Sequence, residues 1–454
     1  MTDTTPRARS WRAVATGPVG VWAAFVVVHT YLLWDVTRFR AQLEGDVDLY
    51  RSWAVSGLLE GVWPVLSTDW VYPVGALLPI TLPGLLSLDL EAYRVLFELL
   101  VVLLDGFAVG ALLRAGRASR GGTAGAWWWL VFLAALGPIS VMRLDGVAAP
   151  LTVLALVQLL PGPARPGGRV GLTAVLATVA AWVKVAPGAV LIPLALTVRR
   201  PWRRVVLPAA VVSVVVVGLA LLGGAGARVL GFFGQQDSRG LQVEAGAATP
   251  FSLARLWDDS YRVVYDAPLK VLEISGPSTQ WWADALNLVL LVAVAAVSFG
   301  TWRAAVRLRR AVPDGSLLPD GVARRPLDLE LVLLSTLALT LCLFAFNKVG
   351  SPQYVAWFGP PVSVALSAVG LAGSRIAWRR TWDVLAVAFV VVGLLTHRLF
   401  PDHYDDFLAA QPLDTVLAAL RNLLVLALAV GVGSVVAFRV RAPGARVRSG
   451  PRSG

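Results

Sequence analysis

The chain is 454 residues long, 57% hydrophobic and only 15% charged, with a formal net charge of +12. Soluble domains carry about 25% charged residues, so a water-facing globule is excluded as the body of this protein. The basic excess lies in arginine clusters between apolar runs, "VRRPWRR" (198–204), "RAAVRLRR" (303–310) and "RIAWRR" (375–380). That is the positive-inside pattern of a membrane protein, and it excludes nucleic acid as the partner the charge would otherwise suggest.

Apolar runs of about 17 to 25 residues can each cross a bilayer as a helix. The first, "GPVGVWAAFVVVHTYLLW" (17–34), lacks a small-residue cleavage site and is expected to be a retained span. About twelve spans are predicted, over 18–34, 91–113, 124–142, 146–160, 170–183, 187–198, 205–222, 284–302, 328–346, 353–373, 382–399 and 414–438. Residues 1–17 then form a cytoplasmic tail, 18–438 one transmembrane domain, and 439–454 a basic cytoplasmic tail. The arginine asymmetry puts both termini inside and the loops about 35–90, 223–283 and 400–413 outside. This alternation requires that "VYPVGALLPITLPGLLSL" (71–88) does not cross fully. Pro73, Pro79 and Pro83 argue independently for a re-entrant or interfacial segment. The spans 170–183 and 187–198 are short and meet at "KVAP" (184–187). No fixed-period repeat is visible.

The unusual polar groups gather on the outer side. In "EGDVDLYRSW" (44–53) an amphipathic helix is expected to begin near Asp48, with Leu49, Trp53 and Ser56 on one face. Asp46 or Asp48 is then either a helix cap or a carboxylate that takes a proton from a hydroxyl. Glu98 and Asp105, seven apart in a span, must look into the bundle, and Arg94 is a natural partner for Glu98. Arg143 and Asp145 sit at a tight outer turn, as a structural ion pair or as groups that orient a ligand. His403 stands beside Asp402, Asp405 and Asp406, but one histidine with unspaced carboxylates suits a solvated loop better than a metal site. His29 and His397 are expected as satisfied core residues. The single cysteine, Cys342, rules out disulfides and thiolate metal sites.

Four stretches carry a family resemblance. "DVDLY", then "LLEGVWP" and "TDWVYPVGALL", resemble the first outer loop and "YPP"-type segment of glycosyltransferase family 87. These are polyprenyl-phosphate-mannose-dependent mannosyltransferases of the multispanning C-type fold. "VMRLDGVAAPLTVLAL" (141–156) is similar to the family's Arg-x-Asp segment, "AAWVKVAPGAVLIPLAL" (180–196) to its Lys-x-x-Pro segment, and "NKVGSPQYVAWFGPPV" (347–362) to its Ser-Pro-Gln-Tyr segment. The order matches over about residues 18–375, and "SPQYVAW" is the most specific of them. Pro73-Val74 departs from the usual paired prolines. Spacing permits either Asp46 or Asp48 as the family's catalytic aspartate, with Asp46, four before Tyr50, favoured.

The resemblance implies an all-α polytopic membrane protein that moves a sugar, mannose in the family, from a polyprenyl-phosphate donor. The acceptor would be a hydroxyl of an envelope glycolipid or glycan at the outer face of a bacterial plasma membrane. Such inverting transfer asks for a base, met by Asp46 or Asp48, and for cations on the departing lipid phosphate. Only Lys184, Lys270 and Lys348 among the 40 basic residues are lysines. Lys184, Lys348 and Arg143 are the candidate phosphate ligands, a compact ammonium suiting phosphate as a point charge, while Lys270 is expected to be an ordinary surface lysine. Tyr50, Tyr72, Asp145, Gln353 and Tyr354 are expected to line the sugar or acceptor pocket. For Gln353 and Tyr354 the plain alternative is an interfacial anchor. No metal and no cofactor is expected; the partners are the lipid-linked donor, the acceptor and membrane lipids. A lipid or solute transporter, supported by Glu98, Asp105 and the short pair near Lys184, is the rival in a different class, and a structural scaffold is a third.

Overall fold

With no water in the bilayer core, every backbone N–H and C=O of a spanning segment has to bond within the segment, so apolar sequence of this kind must fold as helices. The computed structural model describes residues 16–119, 121–160, 169–232, 234, 239–266, 271–310, 328–369 and 376–438. Six of its helices are long and apolar enough to cross a membrane: Pro18–Arg38, Leu90–Ala118, Trp202–Leu222, Thr279–Arg310, Arg379–Asp402 and Pro412–Phe438. Shorter apolar helices fill the bundle: Ala124–Leu136, Leu144–Leu159, Val170–Val183, Ala186–Thr197 and Leu329–Ala345. The expected span 353–373 is a tight turn of 3-10 helix, Pro352–Phe358, followed by the helix Gly359–Ser367. Short helices are tolerated at membrane depth when protein surrounds them, and the burial pattern agrees. Nearly every residue of Leu144–Leu156 and Leu329–Ala345 is buried, whereas Trp202–Leu222 is mostly exposed. Residues 1–15 and 439–454, within the two stretches expected to be cytoplasmic tails, and Lys270 lie outside the described residues.

The segment 71–88 does not form a full crossing. A 3-10 turn over Val74–Ala76 leads into the ten-residue helix Leu77–Leu86, which contains Pro83. That length spans about 15 Å at 1.5 Å per residue, half of a hydrocarbon core.

The helix of the opening motif differs from the expectation. It runs over Arg40–Glu60, not from Asp48, and it ends where Gly61 adopts the left-handed conformation at φ 72° that glycine accepts without strain. Its buried stripe is Leu43, Val47, Tyr50, Ala54 and Gly57, at spacings of three and four. Leu49, Trp53 and Ser56 are half-buried at its margin. Leu43 and Val47 carry that stripe upstream of Asp48 and so draw the helix start with them. Each is fully buried, worth about 1.5–3 kcal/mol relative to exposure in water. Asp46 and Asp48 therefore lie inside the helix, and neither caps it.

Beyond this helix, the stretch 223–283 that was expected to lie outside contains an antiparallel hairpin, β1 (Arg262–Asp266) and β2 (Val271–Ser275), paired from Arg262 opposite Ser275 to Asp266 opposite Val271. Nothing in the sequence reading anticipated these strands. Within the bundle, His29 and Asp105 form a buried pair at 3.3 Å, and the Trp129 indole N–H donates to the other Asp105 oxygen, also at 3.3 Å. His29 Nδ1 lies 2.9 Å from the carbonyl of Phe25. Asp105 thus has protein partners on both oxygens. Glu98 is half-buried, and the partner expected for it, Arg94, is engaged elsewhere.

Candidate active site

Residues two apart on an α-helix are turned by about 200° from each other, whereas residues four apart share a face. This geometry separates the two candidate bases. Asp46 shares its face with Tyr50 and meets Arg143, whose Nε lies 2.7 Å from Asp46 Oδ2. Asp48 turns the other way and takes a two-pronged bond from Arg94, with Nε at 2.8 Å and Nη2 at 2.7 Å. Arg94 also pairs with Glu44 at 3.0 Å and with Glu91 at 2.5 Å. Arg40 pairs with Glu44 at 3.6 Å and with Glu91 at 3.1 Å, so Asp48 belongs to a five-membered network that clamps the Arg40–Glu60 helix onto Leu90–Ala118. Burial pushes the Glu44 carboxyl above its ordinary value, against the pull of Arg94 and Arg40.

Arg143 is held from several sides. Its Nη1 donates to the carbonyls of Leu43 at 2.6 Å and Met142 at 2.9 Å, and its guanidinium lies 5.9 Å from the centre of the Phe400 ring. The residue sits in extended backbone at the start of the Leu144–Leu156 helix, so Asp145 falls in the first turn of that helix. Asp145 is buried and faces Lys184, with Nζ 3.2 Å from Oδ2, while its Oδ1 accepts from the Trp357 indole N–H at 2.7 Å. The expected local pair of Arg143 with Asp145 does not form; each residue reaches to a different element. Lys184 ends the Val170–Val183 helix, where "KVAP" breaks it. Its ammonium lies over two rings, 4.8 Å from the centre of Tyr72 and 5.2 Å from that of Tyr354. Tyr354 stacks on Trp357 with ring centres 4.1 Å apart.

Tyr50 and Tyr72 join the two ion pairs. Their rings meet edge to face, with centres 6.4 Å apart. Burial pushes the Tyr50 phenol well above its ordinary value, and Tyr72 and Asp46 add to the rise. Burial raises Tyr72 as well, opposed by the Lys184 ammonium. Both phenols are protonated at neutral pH and can serve as hydrogen-bonding groups but not as bases.

The structure thus brings together Asp46, Tyr50, Tyr72, Arg143, Asp145, Lys184 and Tyr354, drawn from five separate stretches of chain. Asp48 stands apart with Arg94. Gln353 is half-buried beside Tyr354, and Lys348 is buried at the entrance to the same turn. The Asp46 side chain is 40% exposed, against 2% for Asp145. One carboxylate is open to an incoming hydroxyl and the other is sealed between Lys184 and Trp357. Two cations and two anions balance, so the cluster can hold an added anion only by exchanging ion-pair partners.

Sequence reasoning missed Trp357 and Phe400. Trp357 stands three residues after Tyr354 inside "SPQYVAW", and that spacing puts both rings on one side of a helical turn, the signal that could have found it. Phe400 carries no such signal. His403 falls 2.9 Å from Asp406, and these two share with Asp414 a set of ligand atoms within 4.8 Å of one another. Asp414 also pairs with Arg398 at 3.3 Å, and Asp402 turns instead to His397 at 3.8 Å. Of the three carboxylates beside His403 in sequence, only Asp406 lies in this group, and Asp414 joins it from outside the stretch. His397, expected as a core residue, also lies 3.0 Å from the buried Asp35.

No family model matches the chain, and no curated protein matches it. Two solved structures are similar, both of ArnT from Cupriavidus metallidurans, one bound to undecaprenyl phosphate and one in the apo state. They are 14% and 15% identical to this chain, cover 92% of it and 77% and 76% of their own length, and each aligns with a TM-score of 0.44. Agreement at that level is too loose to carry an argument about fold or chemistry.

Proposed function

We propose that the protein is a membrane glycosyltransferase of the C-type fold that moves a sugar from a polyprenyl-phosphate donor to a hydroxyl acceptor, with Asp46 as general base. The observation that carries this reading is the convergence of one solvent-accessible carboxylate with two buried cations, in a cluster built from the motifs that resemble family 87.

The chemistry is as follows. The acceptor O–H gives its proton to Asp46 as its oxygen attacks the anomeric carbon. The bond from that carbon to the phosphate oxygen breaks, and its electron pair leaves on the lipid phosphate. Lys184 and Arg143 stabilise the growing negative charge; preorganised charges of this kind usually supply the largest single contribution to catalysis. Each cation is balanced by a carboxylate while the site is free of donor, so phosphate entry trades one anionic partner for another. The trade at Arg143 frees Asp46, which makes the donor the substrate expected to bind first. Attack from the face opposite the phosphate inverts the anomeric centre.

The Tyr72, Tyr354 and Trp357 rings form an aromatic wall around Lys184 against which the sugar packs, and Gln353 adds an amide at the edge. Mannose as the sugar, an envelope glycolipid or glycan as acceptor, and the outer face of a bacterial plasma membrane as the location follow from the family resemblance and are part of the proposal. Lys348 is retained as a second phosphate ligand only by that resemblance. No step requires a metal, because the phosphate leaves with its own lipid. Of the two intramembrane carboxylates that would favour transport, Glu98 and Asp105, the second has both oxygens occupied by His29 and Trp129. The reading is tested by incubating the protein in lipid nanodiscs with a polyprenyl-phosphate sugar labelled in the sugar, and measuring free polyprenyl phosphate. Release that requires Asp46 supports it. Intact donor after prolonged incubation with a panel of hydroxyl acceptors refutes it.

A further inference from the structure

Loops run over protein surfaces because buried backbone must find hydrogen-bond partners. Residues 241–245, in the long loop that precedes β1, break that pattern, since all five are buried. Several of their backbone groups are paired with other parts of the chain. Gln242 N–H donates to the Lys348 carbonyl at 3.0 Å, Val243 N–H to the Leu272 carbonyl at 3.0 Å, and the Leu241 carbonyl accepts from Ile274 N–H at 2.8 Å. Gln242 bridges antiparallel to Glu273 in β2. On the other side the Glu244 carbonyl accepts from Arg421 Nη2 at 2.8 Å, and Tyr404 donates its hydroxyl to the Glu244 carboxylate. Segment 241–245 is therefore a strap running between the outer hairpin and the bundle.

What the strap holds is the entrance to the Ser-Pro-Gln-Tyr turn. The Gln242 amide oxygen accepts from Gly350 N–H at 3.2 Å, and its Nε2 donates to Ser351 Oγ at 3.2 Å. The two backbones touch; a Cβ on Gly350 would sit 2.2 Å from Ala245 Cα, so glycine is needed for the approach. Ser351 immediately precedes the Pro352–Phe358 turn that carries Gln353, Tyr354 and Trp357. Tyr354 and Trp357 in turn flank Lys184 and Asp145.

We infer that Gln242 is a positioning residue for the donor-phosphate face of the site, acting through Gly350 and Ser351 on the turn that braces Asp145 and Lys184. This rests on the proposed transferase function for its consequence, though not for its structural content. A residue that only stabilised the fold would lower melting temperature and damage both kinetic constants. A residue that positions the phosphate face should act on donor KM.

The test pairs Gln242→Ala with Ser351→Ala, which cuts the same link from the other side and serves if the first variant folds poorly. Each is examined by hydrogen exchange of the full chain in detergent micelles and by donor kinetics. The expected result is faster amide exchange across 347–358 in both variants. Donor KM should rise about tenfold, as for loss of one buried hydrogen-bonding pair, with kcat little changed and melting temperature lowered by a few degrees at most. The double variant should be no worse than the worse single one, because both substitutions remove one link. Unchanged exchange across 347–358 in both variants, or effects that multiply in the double variant, would overturn the inference. Faster exchange with no sugar transfer even in the wild type would leave the strap standing and remove the transferase reading.

Discussion

The sharpest consequence of the helix Arg40–Glu60 is that two aspartates two residues apart should behave oppositely. Asp46→Asn keeps the shape of the side chain and removes its ability to take a proton. General bases contribute about 10²–10⁴-fold, so kcat should fall by that factor, equivalent to about 2.7–5.4 kcal/mol of barrier at 1.36 kcal/mol per tenfold. Folding should survive. The Asp46 side chain is 40% exposed, a setting in which an ion pair contributes about 1 kcal/mol at most. Arg143 keeps its bonds to the Leu43 and Met142 carbonyls in the variant. Asp48→Asn removes one partner of Arg94 and leaves Glu44 and Glu91 in place. Its kcat should stay within about threefold of the wild type, and its stability should drop by about 1 kcal/mol or less. Both variants are assayed in nanodiscs for release of polyprenyl phosphate from a labelled donor, with melting temperature measured alongside. Wild-type turnover by Asp46→Asn, or loss of turnover confined to Asp48→Asn, would refute the assignment.

Lys184→Ala should raise donor KM about 10–100-fold, and Lys184→Arg should not restore it, since a planar fork does not replace a compact ammonium between two rings; donor titrations decide this. Burial pushes Glu244 above its ordinary value of 4.5 despite its contacts with Tyr404 and Arg421. The folded chain therefore holds that proton more tightly than the unfolded one, and the resulting stabilisation is complete below about 4.5 and lost as pH rises through the folded value. Glu244→Gln should accordingly melt no lower than the wild type at neutral pH and show a flatter rise in melting temperature on mild acidification; a large loss of stability at neutral pH would contradict this. Asp105→Ala leaves His29 Nε2 and the Trp129 indole N–H without their carboxylate partner inside the bundle and should cost about 1–3 kcal/mol, read as a fall in thermal stability, with wild-type melting as the refuting result. Chelation should leave transfer unchanged, and loss of turnover in chelator that returns with manganese would implicate the His403, Asp406 and Asp414 group.

Much of the fold was legible because lipid leaves few choices. Apolar runs and arginine clusters located the helices, and the three prolines of 71–88 correctly marked a segment that stops short of a crossing. What the sequence concealed is where side chains point once elements pack. The start of the Arg40–Glu60 helix was misplaced because Leu43 and Val47 sit among polar neighbours, and their burial depends on helices distant in sequence. The same error hid the difference between Asp46 and Asp48, which becomes plain once the two are put on one continuous helix. Arg94 looked local to Glu98, yet it reaches across to a different helix for a two-pronged partner. Likewise Arg143 and Asp145 looked like a pair and instead serve two separate ion pairs. The strap at 241–245 had no sequence signature, because a glutamine in an outer loop is unremarkable until its partners are known.

On the proposed function, the two ion pairs beside Tyr72 break a sugar–phosphate bond and do not carry a solute or lipid across the bilayer. The most direct measurement reconstitutes the protein in vesicles with a polyprenyl-phosphate sugar and follows, in one sample, donor cleavage and donor movement between leaflets. Polyprenyl phosphate and glycosylated acceptor should form with time in the wild type, with formation lost in Asp46→Asn and weakened in Lys184→Ala. Movement of intact donor between leaflets without cleavage, sensitive to the same two substitutions, would contradict it.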